Sequence, residues 1–141
     1  MQYLNKINYN YFYFLMKATT HNILMCNTKK CSKTDNNYPF IIKATNIGSK
    51  EVDFDLERTK TLYNRQDKKG LNEFCKGVNM YKLDFTTVDD ETKNKNEFWE
   101  YVHKILNETI VNDGALVCPN CGREYPIKNG IINMVLEDNE M

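Results

Sequence analysis

VCPNCGREYPIKNGIINMVL, residues 117–136, sets a cysteine pair at C-x2-C spacing directly ahead of a hairpin signal and an apolar run. Asn129-Gly130 between two strand-like segments predicts a two-residue turn, because both residues tolerate the positive φ of a type I′ loop. In the strand predicted from Ile131 to Leu136, alternation puts Ile132, Met134 and Leu136 on one face and Ile131, Asn133 and Val135 on the other. One face can cover the chain's own core. The other stays mostly apolar, and soluble monomers seldom leave such a surface open.

A second pair, Cys26 and Cys31 at C-x4-C spacing, lies in MKATTHNILMCNTKKCSKTDNNYPFIIKATNI, which begins at Met16. The apolar runs on either side of a polar cluster predict strand, knuckle, loop and strand. Two short-spaced pairs suit tetrahedral zinc, since each tight turn aims two thiolates at one ion while backbone N–H groups face the sulfurs. Cys26, Cys31, Cys118 and Cys121 are therefore the candidate metal ligands. Four ligands leave no open coordination position, so the zinc is expected to be structural. The alternatives are four buried thiols, an iron–sulfur cluster, or a redox pair at Cys118 and Cys121. Redox chemistry usually puts C-x2-C at a helix N-terminus, whereas this pair lies between strands.

The 86 residues between the pairs change period. Helical spacing predicts helices over Leu56–Tyr63, Lys68–Val78 and Lys95–Val111, the last closed by Asn112, Asp113 and Gly114, with DDETKNKNE as a solvated linker between helices. The expected fold class is α+β: a zinc-binding lobe with a small antiparallel sheet formed by both termini, and an inserted helical lobe. The boundaries are 16–50 and 112–141 for the zinc lobe and 51–111 for the insertion. Residues 1–15 are expected to be a flexible N-terminal extension.

The 141 residues carry 19 basic and 19 acidic side chains, so the formal charge is zero and no broad electrostatic attraction to nucleic acid is expected. Five cysteines are an odd number, which favours a metal site in a reducing compartment over a disulfide framework. The apolar run Tyr11 to Met16 is far short of a membrane span, so no membrane partner is expected. Cys75 falls on the apolar stripe of the second helix as a core thiol, His21 stands near enough to Cys26 to substitute as a ligand, and His103 has no catalytic partner nearby. No nucleophile triad or phosphate loop can be placed, so the chain is not expected to be an enzyme by itself.

MKATTHNILMC with its C-x4-C pair, ETIVNDGALVCPNCG and YPIKNGIINMVL resemble the zinc-binding activator subunit shared by several methyltransferases of translation, the tRNA methyltransferase subunit 112 family. The resemblance implies a non-catalytic partner of class I, Rossmann-like methyltransferases, bound as heterodimers through strand pairing and an apolar patch. S-adenosylmethionine would be bound by the partner only. Clients would modify tRNA, ribosomal RNA and a translation termination factor, in cytoplasm and nucleus, and RNA would be met through or beside the partner. Carried onto this chain, the resemblance places zinc on the four cysteines and the interface at Asn129, Gly130, Ile131, Ile132, Asn133, Met134 and Leu136. The family usually has proline at the position of Ile132 and often a tryptophan near that of Lys68. Two other readings compete: a zinc-ribbon module that holds RNA directly through Lys29, Lys30, Lys33, Arg123 and Lys128, and a thiol oxidoreductase built on Cys118.

Overall fold

A computed structural model of the chain describes residues 15–141; most of the expected N-terminal extension lies outside the described residues. The architecture is α+β, with one four-stranded antiparallel sheet and a set of short helices. The elements run α1 (Ala18–Ile23), β1 (Ile41–Ser49), α2 (Leu56–Asn64), α3 (Lys68–Gly77), α4 (Asp90–Lys93), α5 (Asn96–His103), a π-helical turn (Lys104–Glu108), β2 (Thr109–Val117), β3 (Glu124–Lys128), β4 (Ile131–Ile132) and a final 3-10 turn (Asp138–Glu140). The sheet order is β1-β2-β3-β4, so the strand before the helices pairs with the strand after them.

The helices begin where the sequence supplies caps. Asp55, Asp67 and Asp89 each accept a hydrogen bond from a backbone N–H of the first turn, those of Arg58, Gly70 and Thr92. Each such cap stabilises its helix by about 1 kcal/mol. Leu71, Phe74 and Cys75 of α3 are buried, as the helical stripe predicts. Tyr63, Phe98 and Trp99 form an edge-to-face group with centroids 4.8 to 5.7 Å apart, which joins α2 to α5.

Several expectations are corrected. The stretch after Met16 is helical as α1, where a strand was expected. Its six residues are too few to be stable alone, and tertiary hydrogen bonds hold them. The Asn22 side chain donates to Asp67 O and accepts from Asp67 N, both at 2.9 Å, while His21 Nε2 lies 2.7 Å from Phe40 O. The third helix was expected to reach Val111, but α5 ends at His103, and the π-helical turn delivers the chain into β2 at Thr109. Thr109, Ile110 and Val111 are β-branched and pair with Ser49, Gly48 and Ile47, so strand pairing overrides the helical spacing. Within DDETKNKNE the chain forms α4 as well as a linker.

Gly114 is consequently not a helix cap. It lies inside β2 opposite Ala44, beside a register shift in β1, with φ +148°. A Cβ there would lie 2.1 Å from Lys43 O. The hairpin turn is as expected, with φ 53° at Asn129 and 82° at Gly130. The strand after it is shorter than expected: β4 covers only Ile131–Ile132, and residues 133–136 run on without regular pairing. Met16 is inserted between the turn and β2, donating to Gly130 O at 2.7 Å and accepting from Val111 N at 2.9 Å.

Gly114→Ala should lower the free energy of unfolding by about 3 kcal/mol, since both φ and the Lys43 carbonyl oppose a side chain. Urea midpoints at constant m-value report it, and a loss below about 0.5 kcal/mol would contradict the geometry. Burial holds the His21 pKa below its ordinary 6.5, so the neutral ring is the folded form. Its contribution is complete above pH 6.5 and is lost as the pH falls below that value. A His21→Gln variant should show a shallower fall in stability over that window than the parent chain.

Candidate metal centre

The four predicted cysteines converge. Their sulfurs all lie within 4.8 Å of one another, with Cys26 to Cys121 at 3.9 Å and Cys31 to Cys118 at 3.7 Å. Four thiolates about 2.3 Å from one ion at tetrahedral corners would stand about 3.8 Å apart. All five thiols are free, and Cys26, Cys31 and Cys118 are buried while Cys121 is exposed. The cluster could hold a metal such as zinc, and its soft, closed donor set fits that ion.

Each knuckle is shaped by its own backbone. In the first, Cys31 N and Ser32 N both donate to Thr28 O at 2.9 Å. In the second, Gly122 N donates to Cys118 O at 3.0 Å, and Gly122 takes φ 77° to turn the chain toward β3. Asn120 N and Cys121 N both point at Cys118 Sγ, at 3.4 Å. The second knuckle sits in the β2–β3 connection, so the sheet fixes its direction; the first is tied to the Asn37 backbone and side chain through Cys26.

Three neighbours not singled out by spacing complete the surroundings of the sulfurs. The Asn120 side-chain amide donates to Cys31 Sγ at 3.2 Å, the Tyr125 hydroxyl lies 3.1 Å from Cys26 Sγ, and Thr28 Oγ1 lies 3.5 Å from the same sulfur. Hydrogen bonds from Asn120 and then Thr28 bring the Cys31 pKa down to about 6, whereas burial pushes Cys118 up to about 12. Burial also raises Cys26, but hydrogen bonds from Tyr125 and Thr28 outweigh it and its pKa is lowered. Asn120 lies inside the C-x2-C loop and Tyr125 two alternations past Cys121, so both were visible as residues but not as sulfur partners.

The other sequence candidates are elsewhere. His21 is hydrogen-bonded to Phe40 O and is no ligand. Cys75 is buried under β1, where burial raises its pKa to about 12, an unreactive thiol. His103 is buried, with Nε2 at 2.7 Å from Val52 O and 3.4 Å from Glu108. In the terminal segment Ile132, Met134 and Leu136 are partly buried against the core, Asn129 and Asn133 are exposed, Gly130 is buried and Ile131 is intermediate. Val135 is 76% exposed. The methionine-bearing face is thus the one turned inward.

Residues 17–130 match the family described as Trm112p-like protein. The chain belongs to the Trm112p-like family. It is 33% identical over 127 residues to the multifunctional methyltransferase subunit TRM112 homolog A of Arabidopsis thaliana, spanning 89% of this chain and 100% of that protein. The Trm112-family relative of Schizosaccharomyces pombe, multifunctional methyltransferase subunit trm112, is 29% identical over 126 residues, 89% of this chain and all of its own length. The fold is similar to a chain in the solved structure of the E. cuniculi Mtq2-Trm112 complex responsible for the methylation of the eRF1 translation termination factor. That match has a TM-score of 0.54 and 18% identity, covering 85% of this chain and 95% of that one.

Zinc in a centre of this kind contributes about 10 kcal/mol or more to folding. Chelation should therefore release one ion per chain and unfold the first knuckle together with the β2–β3 end of the sheet. Native mass spectrometry before and after chelation, with circular dichroism, measures both; a Cys31→Ser chain should purify with less than one ion. Full metal content in that variant would remove Cys31 from the ligand set.

Proposed function

We propose that this chain is a non-catalytic subunit that binds class I, Rossmann-like methyltransferases as heterodimers and keeps them soluble and active. The observation that carries the reading is the family match over residues 17–130, together with relatives whose names describe methyltransferase subunits. S-adenosylmethionine is bound by the partner alone. The clients act on tRNA, ribosomal RNA and a translation termination factor, the last in line with the eRF1 methylation carried out by the similar complex. The work takes place in cytoplasm and nucleus.

Structural zinc on Cys26, Cys31, Cys118 and Cys121 gives this subunit a fixed edge to present. On this reading residues 16–50 and 112–141 form the zinc lobe and 51–111 the helical insertion. The interface runs from Asn129 to Leu136, and Val135 is the most exposed apolar residue of that segment. Of the seven interface residues carried over from the family, Ile131 and Asn133 share its face by alternation. Ile132, Met134 and Leu136 act from beneath, by packing on the core.

Met134→Glu would confound folding with docking, because Met134 packs on the core. Val135→Glu is the cleaner substitution. Co-expressed with a methyltransferase client, the parent chain should co-purify in a one-to-one complex. Val135→Glu should weaken that complex at least tenfold while leaving metal content and thermal midpoint unchanged. Recovery of an undiminished complex would place the interface elsewhere. Absence of any methyltransferase with the parent chain would remove the function itself.

A further inference from the structure

The final turn of the chain is tied to both knuckles of the cysteine cluster. In the first knuckle, the Lys29 N–H donates to Glu140 O at 2.8 Å. Just past the second, the fork of Arg123 holds the Glu140 carboxylate: Nε donates to Oε2 at 2.6 Å and Nη2 to Oε1 at 2.9 Å. One residue therefore grips the first knuckle with its backbone and the second with its side chain. The turn that carries it is closed on itself, since the Glu137 N–H donates to the same Oε1 at 2.9 Å and a capping box joins Glu137 to Glu140. Residues 137–140 thus form a strap across the outside of the centre.

The strap stands where the centre is open. Cys26, Cys31 and Cys118 are buried, whereas Cys121 is exposed. The cleft of about 280 Å³ beside Cys121 is lined by Asn139 and Glu140 of the strap and by Thr28 and Lys29 of the first knuckle. The two partners of the latch are held unequally. Arg123 is aimed by other groups: Nη1 donates to Glu124 O at 3.0 Å, Nη2 to Val135 O at 3.1 Å, and the guanidinium carbon lies 4.3 Å from the Tyr125 ring centroid. Glu140 has only the turn behind it, and Glu137, Asp138 and Asn139 are all exposed. Opening therefore happens at Glu140, which leaves while Arg123 stays in place. With side chains 20% and 22% exposed and a two-pronged geometry, the pair is stronger than an open surface ion pair, yet it is one interaction to break.

We propose that this strap gates metal exchange: the Arg123–Glu140 latch sets how fast the centre gives up its ion to a competing chelator, because the knuckles do not part beside Cys121 until Glu140 lets go. The inference rests on a structural metal held by the four cysteines, and it holds whichever client the chain serves.

The test is stopped-flow absorbance of pyridylazoresorcinol as it takes zinc from the full-length, zinc-loaded chain. Glu140→Gln and Arg123→Lys should each release the metal about fivefold faster than the parent, the first because the carboxylate is gone, the second because the charge remains without the fork. Combined, they should give the same acceleration as either alone, since both break one latch. Asp138→Asn removes an equal charge from an exposed strap side chain that Arg123 does not hold, and should leave the rate within about twofold. Hydrogen exchange at full metal content separates a faster gate from a failing fold: in Glu140→Gln the Lys29 amide should lose protection, while the Leu116 amide inside the sheet keeps its own. An unchanged release rate in Glu140→Gln overturns the proposal, as does protection lost at both amides. So does a double variant whose acceleration is the product of the two single ones, or an Asp138→Asn chain as fast as Glu140→Gln. A parent chain that carries no ion would remove the metal centre itself, and the gate with it.

Discussion

Two knuckles 86 residues apart must meet at one point, and the rest of the fold is arranged around that requirement. Residues 24–40 contain no helix or strand, so this segment has few ladder hydrogen bonds to hold it. Cys26 and Cys31 hold its middle, and Cys26 N with Asn37 O closes its base at 3.1 Å. The helices between the knuckles do not separate the two pairs, because β1 and β2 lie side by side across nine-residue strands and return the chain to its starting point. An 86-residue closure costs little more than a short one, since loop entropy grows only with the logarithm of length. The length of the gap is therefore no obstacle to a shared metal once the strands pair.

The residues that were readable in advance are those whose chemistry or conformation has few substitutes. Four cysteines at knuckle spacing and Asn129-Gly130 at a tight turn each admit few structures, and each is found as expected. The α2 and α3 stripes were legible because their apolar residues and aspartate caps agree. What escaped is decided by tertiary contact. α1 exists because Asn22 and Asp67 bond one another across 45 residues, a partnership that local pattern cannot disclose. The start of β2 escaped for a related reason: Ile110 satisfies the helical stripe and the strand equally, and only its neighbour across the ladder, Gly48, decides between them. Gly114 was recognised as conformationally special, but a positive φ serves a crowded strand as well as a helix cap.

Sulfur chemistry and side-chain packing share the same residues at the end of the sheet. Tyr125 is fully buried, touches Phe40 edge-on with centroids 5.3 Å apart, and places its hydroxyl at Cys26 Sγ. The ring fills the space under the first knuckle while the hydroxyl answers the charge above it, an arrangement open to tyrosine and closed to phenylalanine. Asn120 does the corresponding work from the second knuckle, reaching across to Cys31. Both cysteines of the first pair are thus hydrogen-bonded by residues carried with the second, so the two halves recognise one another before any metal is considered.

The same chain of contacts reaches the exposed terminal segment. Tyr125 supports Arg123 on its ring, and Arg123 holds both Glu140 and the carbonyl of Val135. Beyond β4 the backbone has no ladder, so these side-chain bonds replace strand pairing in fixing residues 133–136. Two of the strand-predicted residues, Met134 and Leu136, pack on the core, and the alternation leaves Val135 outward although the strand itself has ended. The apolar surface at the end of this chain is therefore positioned from the cysteine cluster outward, through one tyrosine and one arginine. Loosening the centre would loosen that surface even where no atom of it touches a sulfur.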